Sequence, residues 1–315
     1  MPGRYIRASV CFVVLTLLVF LFAGLTLGAG SVELDGSEMA NRIFWEIRFP
    51  RMMAALLSGI ALSVSGLALQ TLFRNPLAGP FVLGISSGAS LGVALSLLAG
   101  LSFGHLGVLG AAAVGSLVVT CLVMMVAVRF RSTSVLLIVG LLAGYFIDAL
   151  ISMLIVNTDA EALRVYVSWG MGSFGRLTYD GVALFGIVVA VGVALIFASV
   201  KYLNGVRLGE DFARGLGVNV KLGRRLVLLG SSILAAAATA FCGPVAFVGI
   251  AVPHLAYMLF RTSNHRILLP GVSLCGMVLC LVASLFSTIP LNAVLSLVGV
   301  PVILWVIVRG HGGLK

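Results

Sequence analysis

The stretch Val182-Ala-Leu-Phe-Gly-Ile-Val-Val-Ala-Val-Gly-Val-Ala-Leu-Ile-Phe-Ala-Ser-Val200 carries no charge, and Ser199 is its only polar side chain. Coiled as a helix, it spans roughly 28 Å, close to the ~30 Å of bilayer hydrocarbon. It does not alternate polar and apolar residues, as a barrel strand would. Val10–Leu27 reads the same way. In hydrocarbon every backbone N–H and C=O needs an internal partner, which leaves helices.

The rest of the chain agrees. Of 315 residues, 61% are hydrophobic and 10% charged, where a soluble domain carries about 25% charged residues. One large buried core does not explain this, because soluble proteins do not show whole uncharged flanks to water. The fold expected is an all-α integral membrane protein of about ten helices. Its spans lie near 8–29, 50–73, 82–100, 106–128, 134–156, 182–200, 225–243, 245–260, 267–288 and 292–309. The first could be a secretion signal, with Arg4 and Arg7 before an apolar run. Its length favours an uncleaved span. Neither a linker between soluble domains nor a repeat is visible, so residues 1–315 read as a single transmembrane domain.

Ten spans place both termini on one side. If that side is the cytoplasm, fifteen Lys and Arg lie inside: Arg4, Arg7, Arg74, Arg129, Arg131, Lys201, Arg207, Arg214, Lys221, Arg224, Arg225, Arg261, Arg266, Arg309 and Lys315. Five lie outside: Arg42, Arg48, Arg51, Arg164 and Arg176. Such asymmetry sets orientation and accounts for the +10 net charge without nucleic acid. Cys11, Cys121, Cys242, Cys275 and Cys280 show no CxxC spacing and read as small buried hydrophobes.

Two polar excursions are expected: an outer one over Ser31–Arg51, with Glu33, Asp35, Glu38 and Glu46, and a cytoplasmic one over Lys201–Arg225. The first ends in Arg48-Phe-Pro-Arg51, with Pro50 suited to the start of a helix. Its two arginines either snorkel to lipid headgroups or present cations to acidic groups of an external partner. The second span closes with Gln70 and then Arg74-Asn-Pro-Leu-Ala-Gly-Pro80, where Asn75-Pro76 and Gly79-Pro80 break the helix. Gly84, Gly88 and Gly92 then form a small-residue stripe that lets helices approach closely.

The segment Gly209-Glu-Asp-Phe-Ala-Arg-Gly-Leu-Gly217 reads as a short surface helix stopped by Gly217. Glu210 and Asp211 suit its first turn. Phe212 and Leu216, four apart, form an apolar ridge that suits a partner's groove better than lipid, because a dense basic face is missing. Phe241-Cys-Gly-Pro-Val-Ala-Phe-Val-Gly-Ile-Ala-Val-Pro-His254 concentrates helix breakers within apolar sequence, which often marks backbone near a transport pathway. Gly243, Pro244, Pro253 and His254 are its candidates. A lone histidine is more often structural than a ligand. Asp148 is the only acid inside a predicted span; it lines a pathway or sits neutral against a neighbouring helix.

Together these segments resemble the FecCD permease family of ABC importers. The resemblance rests on Arg48-Phe-Pro-Arg51, Ser65-Gly66 with Gln70, Asn75-Pro-Leu-Ala78 with Pro80, and Gly84 with Gly88-Ala89. It continues through Ala213 with Leu216-Gly217 and Val220, then Gly243-Pro244 through Phe247-Val-Gly249 to Pro253-His254. It implies a type II importer permease acting as a homodimer with the pathway at the dimer interface. Two ATP-binding cassette ATPases lie beneath, and a periplasmic or lipid-anchored binding protein delivers an iron–siderophore, haem or cobalamin. Within residues 201–225, Glu210 to Val218 match the ATPase-coupling region. Arg48 and Arg51 match positions that meet acidic residues of the binding protein. The resemblance implies a non-catalytic subunit of the bacterial inner membrane, without cofactor or metal of its own, ATP–Mg staying on the partner. One region departs: members carry an Asp and an Arg late in the ninth span, where this chain has uncharged Ala283-Ser-Leu-Phe-Ser-Thr-Ile-Pro-Leu-Asn292.

Three other classes fit less well. An ion-coupled transporter needs titratable groups at mid-membrane, and only Asp148 qualifies. A channel would show a filter-like segment. A scaffold has no use for the Phe212/Leu216 helix. A zinc or manganese importer would need a His/Asp ligand cluster.

Overall fold

In the computed structural model the described residues are 2–28, 37–101, 107–129, 133–286 and 288–310. Glu33, Asp35, Arg131, Ser287 and Lys315 lie outside them, as do the side chains of Arg4 and Arg309. Among the described residues seven helices are long and apolar enough to cross a membrane, and three apolar helices are shorter.

The long ones are α1 (Pro2–Gly28), α3 (Phe49–Phe73), α5 (Gly107–Arg129), α6 (Thr133–Val156), α8 (Tyr179–Ala198), α11 (Val220–Cys242) and α13 (His265–Ser284). The shorter ones are α4 (Ile85–Leu97) and α12 (Val248–Phe260), together with the Leu291–Trp305 part of α14 (Leu291–Gly310) over which side chains are described. Polar helices connect them: α2 (Glu38–Ile43), α7 (Ala160–Gly170), α9 (Val200–Val206) and α10 (Glu210–Gly215). These ten apolar helices match the ten expected spans.

Two boundaries differ from expectation for local reasons. The outer excursion regains helix at Glu38, where the Ser37 hydroxyl accepts the Ala40 N–H and caps α2. A π-helical segment, Phe44–Arg48, then fuses α2 to α3. At the other excursion α11 starts at Val220, five residues before 225, because the Asn219 side chain accepts the Leu222 N–H. Arg224, expected in a loop, is consequently buried within α11. Cys121 also differs: it is exposed on α5, whereas Cys242, Cys275 and Cys280 are buried.

α3 and α11 are the central helices, buried along most of their length. Glycine lets α3 close on its neighbours. A Cβ on Gly59 would lie 2.5 Å from the Gly276 carbonyl oxygen of α13. Gly88 and Gly92 bring α4 onto α5, where added carbons would meet the Gly115 and Ala111 carbonyls. Gly84 is not part of that helical stripe. It precedes α4 with φ 70°, a left-handed conformation that favours glycine.

α12 is a half-helix. Its 13 residues rise only about 20 Å, after a non-helical segment from Gly243 (φ 79°) to Phe247 (φ 67°). Pro253 lies inside α12 and has no N–H for the Gly249 carbonyl. α3 covers the gap: Gly66 packs directly on that carbonyl, and Gln70 Nε2 donates to the neighbouring Ile250 oxygen at 3.1 Å.

Candidate docking surfaces and pathway

The molecule has two polar ends. At one end α10 is displayed. Its first turn holds Glu210 and Asp211, and Arg214 pairs with both at 3.3 and 3.0 Å; such exposed pairs contribute little. Ala213 is buried against Gly205 of α9, with Cβ 3.1 Å from a carbon built on that glycine. That contact fixes which face turns outward: Phe212 is 49% and Leu216 63% exposed. Gly217 turns the chain at φ 73°, and Val218 N–H returns to the Ala213 carbonyl. Beside this ridge lies a groove of about 440 Å³, where Phe212, Leu216, Leu208 and Val218 face Lys201 and Arg266.

The same end holds the α3–α4 turn. Asn75 Oδ1 accepts the Leu77 N–H, and Pro80 opens a 3-10 turn into Gly84. Arg74, in a left-handed conformation at φ 49°, caps α3 and donates to the Val206 carbonyl of α9 at 2.8 Å. His254 donates from Nε2 to the Pro76 carbonyl at 2.9 Å. It thus pins this turn to α12.

At the opposite end the two candidate arginines separate. Arg48 is 5% exposed, and Nη1 donates to the Leu27 and Gly28 carbonyls at 2.8 and 3.2 Å. Of the two arginines expected at the docking face, Arg48 is thus held within its own subunit. The extra residue in the π-helical turn rotates it inward, where it satisfies the last carbonyls of α1. Arg51, one turn on, is half-buried and lines an outward notch of about 50 Å³ with Gly172, Ser173, Gly175 and Ser284. That notch is bordered by Ala283, Phe286 and Ile289 from the stretch where charges were missed. Arg48→Ala is expected to destabilise the subunit by about 1–3 kcal/mol through the orphaned carbonyls. Arg51→Glu is expected to leave stability unchanged and weaken binding-protein capture about tenfold or more. Melting temperature and binding-protein affinity of the two variants check this; the reverse pattern would refute the division.

Asp148 is exposed on α6 and lies close to Tyr166 of α7. Burial, then the Asp148 charge, pushes the Tyr166 hydroxyl up to about 12, so this phenol stays neutral. On the same helix Leu142, Phe146, Ile147 and Leu150 border an apolar recess of about 580 Å³ against α4 and α5.

The Gly243–Phe247 segment is held by residues that were not singled out in the sequence. Asn292 Nδ2 donates to the Pro244 and Gly170 carbonyls at 2.8 and 3.2 Å, and its Oδ1 accepts the Ala246 N–H at 3.0 Å. Arg176 packs beside Gly243, where an added carbon would lie 2.7 Å from its Nη1, and is itself held by the Trp169 and Ser168 carbonyls of α7 at 2.9 and 2.6 Å. A third overlooked residue is His265, fully buried between α3 and α9. Asn292 and His265 read as unremarkable polar residues beside apolar runs. The only local signal is that each stands at or beside the start of a helix.

Among the described residues, then, ten apolar helices form a bundle with a break before α12 and polar surfaces at both ends. The chain belongs to the FecCD transport family, whose model matches residues 10–309. It is 36% identical over 300 residues to an uncharacterized ABC transporter permease protein, YvrB, of Bacillus subtilis, covering 90% of this chain and 83% of that one. It is 34% identical over 307 residues to the vitamin B12 import system permease protein BtuC of Salmonella typhi, covering 94% of each. A solved structure assigned as a metal-chelate type ABC transporter, in an inward-facing conformation, superposes with TM-score 0.87 at 29% identity, covering 96% of this chain and 99% of that one. The chain is thus a multi-pass permease of an ABC importer, a class that works with an ATPase and a substrate-binding protein.

Proposed function

We propose that this permease carries an iron–siderophore or similar metal chelate from the periplasmic face into the cytoplasm, as a homodimer with both termini cytoplasmic. The observation that carries this reading is the exposed Phe212–Leu216 ridge on a helix whose other face is locked down by Ala213. A soluble ATPase can seat the ridge in a groove, so the residues from Glu210 to Val218 form the coupling surface. ATP and magnesium stay on that partner, and this subunit hydrolyses nothing. At the other end the Arg51 notch receives an acidic side chain of the binding protein. The segment from Gly243 to Pro253 and His254 shapes the gate beside the pathway. Cobalamin is the second reading for cargo, favoured by the vitamin B12 permease among the relatives.

The test is ATP hydrolysis and uptake by the reconstituted permease–ATPase complex. Binding proteins loaded with a ferric siderophore, haem or cobalamin are added in turn. Stimulation with uptake of one chelate supports the reading and names the cargo. Failure of the ATPase to associate would overturn it.

Asp148 belongs to the face of α6 turned to the second subunit and the pathway, since an acid exposed on a span is costly against lipid. Asp148→Asn, at equal membrane levels, is expected to lower uptake several-fold. Unimpaired uptake would remove Asp148 from the pathway.

A further inference from the structure

His265 opens α13 at the α10 end of the molecule and is fully buried. The Asn204 side chain of α9 accepts from the His265 backbone N–H at 2.9 Å and meets Nδ1 at 2.8 Å. Asn204 Nδ2 donates to Asn264 at 3.2 Å, which fixes the amide with Oδ1 toward the ring. Nδ1 therefore carries the proton, and Nε2 meets the Thr71 hydroxyl of α3 at 2.9 Å, whose one proton is shared between this nitrogen and the Leu67 carbonyl, also at 2.9 Å. One buried imidazole thus joins three helices, with a polar partner at each ring nitrogen.

What those helices carry gives the knot its meaning. α9 packs against Ala213, the inward face of the displayed helix α10. Arg207, at the end of α9, donates to the Ser263 carbonyl at 2.7 Å, two residues before His265. α3 and α13 pack backbone to backbone at Gly59 and Gly276, so they move as one body. At their far ends the same pair forms one wall of the notch, with Arg51 from α3 and Ala283 and Ser284 from α13.

We propose that His265 is the positioning residue that locks the ATPase-docking segment α9–α10 to the α3–α13 pair. A displacement at the docking helix then reaches the Arg51 notch, and the reverse. Separating α9 from α13 would leave buried donors and acceptors unpaired, which is costly. This rests on the reading of α10 as the ATPase contact. The knot itself touches neither partner nor cargo.

Two substitutions split the knot, because asparagine places an amide where Nδ1 lies and glutamine one where Nε2 lies. His265→Asn keeps the bond to α9 and gives up Thr71; His265→Gln keeps Thr71 and gives up the side-chain bond to α9. His265→Leu gives up both. Each variant is assembled with its ATPase in proteoliposomes, with binding proteins carrying cyanocobalamin, haemin or ferric ferrichrome. ATPase capture, stimulation of hydrolysis by the loaded binding protein, and uptake per ATP are measured.

Capture should be unchanged in all three variants. Stimulation and uptake per ATP should fall about tenfold in His265→Leu and about threefold in His265→Gln, with less than a twofold change in His265→Asn. Unchanged stimulation in His265→Leu, or equal losses in the asparagine and glutamine variants, would overturn the proposal. Failure of the unsubstituted chain to capture an ATPase would strike the docking reading instead. Melting temperatures separate a loose fold from a lost linkage: rescue by asparagine at matched stability is an outcome that structural damage alone would not give.

Discussion

Replacing Phe212 and Leu216 together by serine is expected to abolish ATPase capture, and with it uptake, while the permease folds and inserts normally. The two side chains are 49% and 63% exposed on α10, so their loss leaves no cavity, and substitutions of this kind shift stability by about 0.5 kcal/mol or less. Seated in a partner's groove, each would contribute about 1.5–3 kcal/mol. Losing both weakens association by about a hundredfold or more. Capture of the ATPase by the tagged permease and ATP-driven uptake into vesicles give the readout. Undiminished capture by the double variant would show that the ridge is not the contact. Glu210, Asp211 and Arg214 already pair with one another, so neutralising them should matter far less than removing the ridge.

Gly66→Val is expected to have the second large effect, and at the level of folding. A carbon on Gly66 would overlap the Gly249 carbonyl, and both atoms belong to backbones fixed in buried helices. No side chain can swing aside, so α3 and α12 must separate, at a cost of about 3 kcal/mol or more. The damage reaches past packing. The Gly249 carbonyl already lacks a helical donor because residue 253 is proline, and Gln70 holds its neighbour Ile250. Pushing α3 away exposes both to hydrocarbon, where unpaired carbonyls are costly. The expected result is loss of monodisperse protein in detergent and of membrane-inserted chain. Gly186→Ala in α8, where an added carbon meets nothing within 4 Å, serves as the control and should be neutral. A stable, correctly inserted Gly66→Val protein would refute the crossing.

Legibility in the sequence followed the length scale of the physics. Transfer of an uncharged 20-residue run into hydrocarbon depends on composition alone, so all ten apolar helices could be read, down to the break before α12. α10 could be read as well, because its acidic first turn, stop glycine and apolar ridge all lie within nine residues. Arg48 and Arg51 show where this ends. Both open the same span with the same chemistry, and residue type cannot tell which way each points. The π-helical turn that buries Arg48 follows from the fusion of α2 to α3 and the nearness of the α1 terminus. His265 and Asn292 were invisible for the same reason, since their partners lie 61 to 194 and 46 to 122 residues away.

By itself, then, the sequence determined what depends on local composition: a bundle of membrane helices, its one broken element, and a short helix offering an apolar ridge. Tertiary structure alone decided which arginine is a buried cap and which lines the notch. It also decided which glycines are contacts and which histidine is a knot. The physical reason is that partition into the bilayer is a sum over neighbouring residues. Burial and hydrogen bonding of a single polar group depend on what distant helices bring beside it.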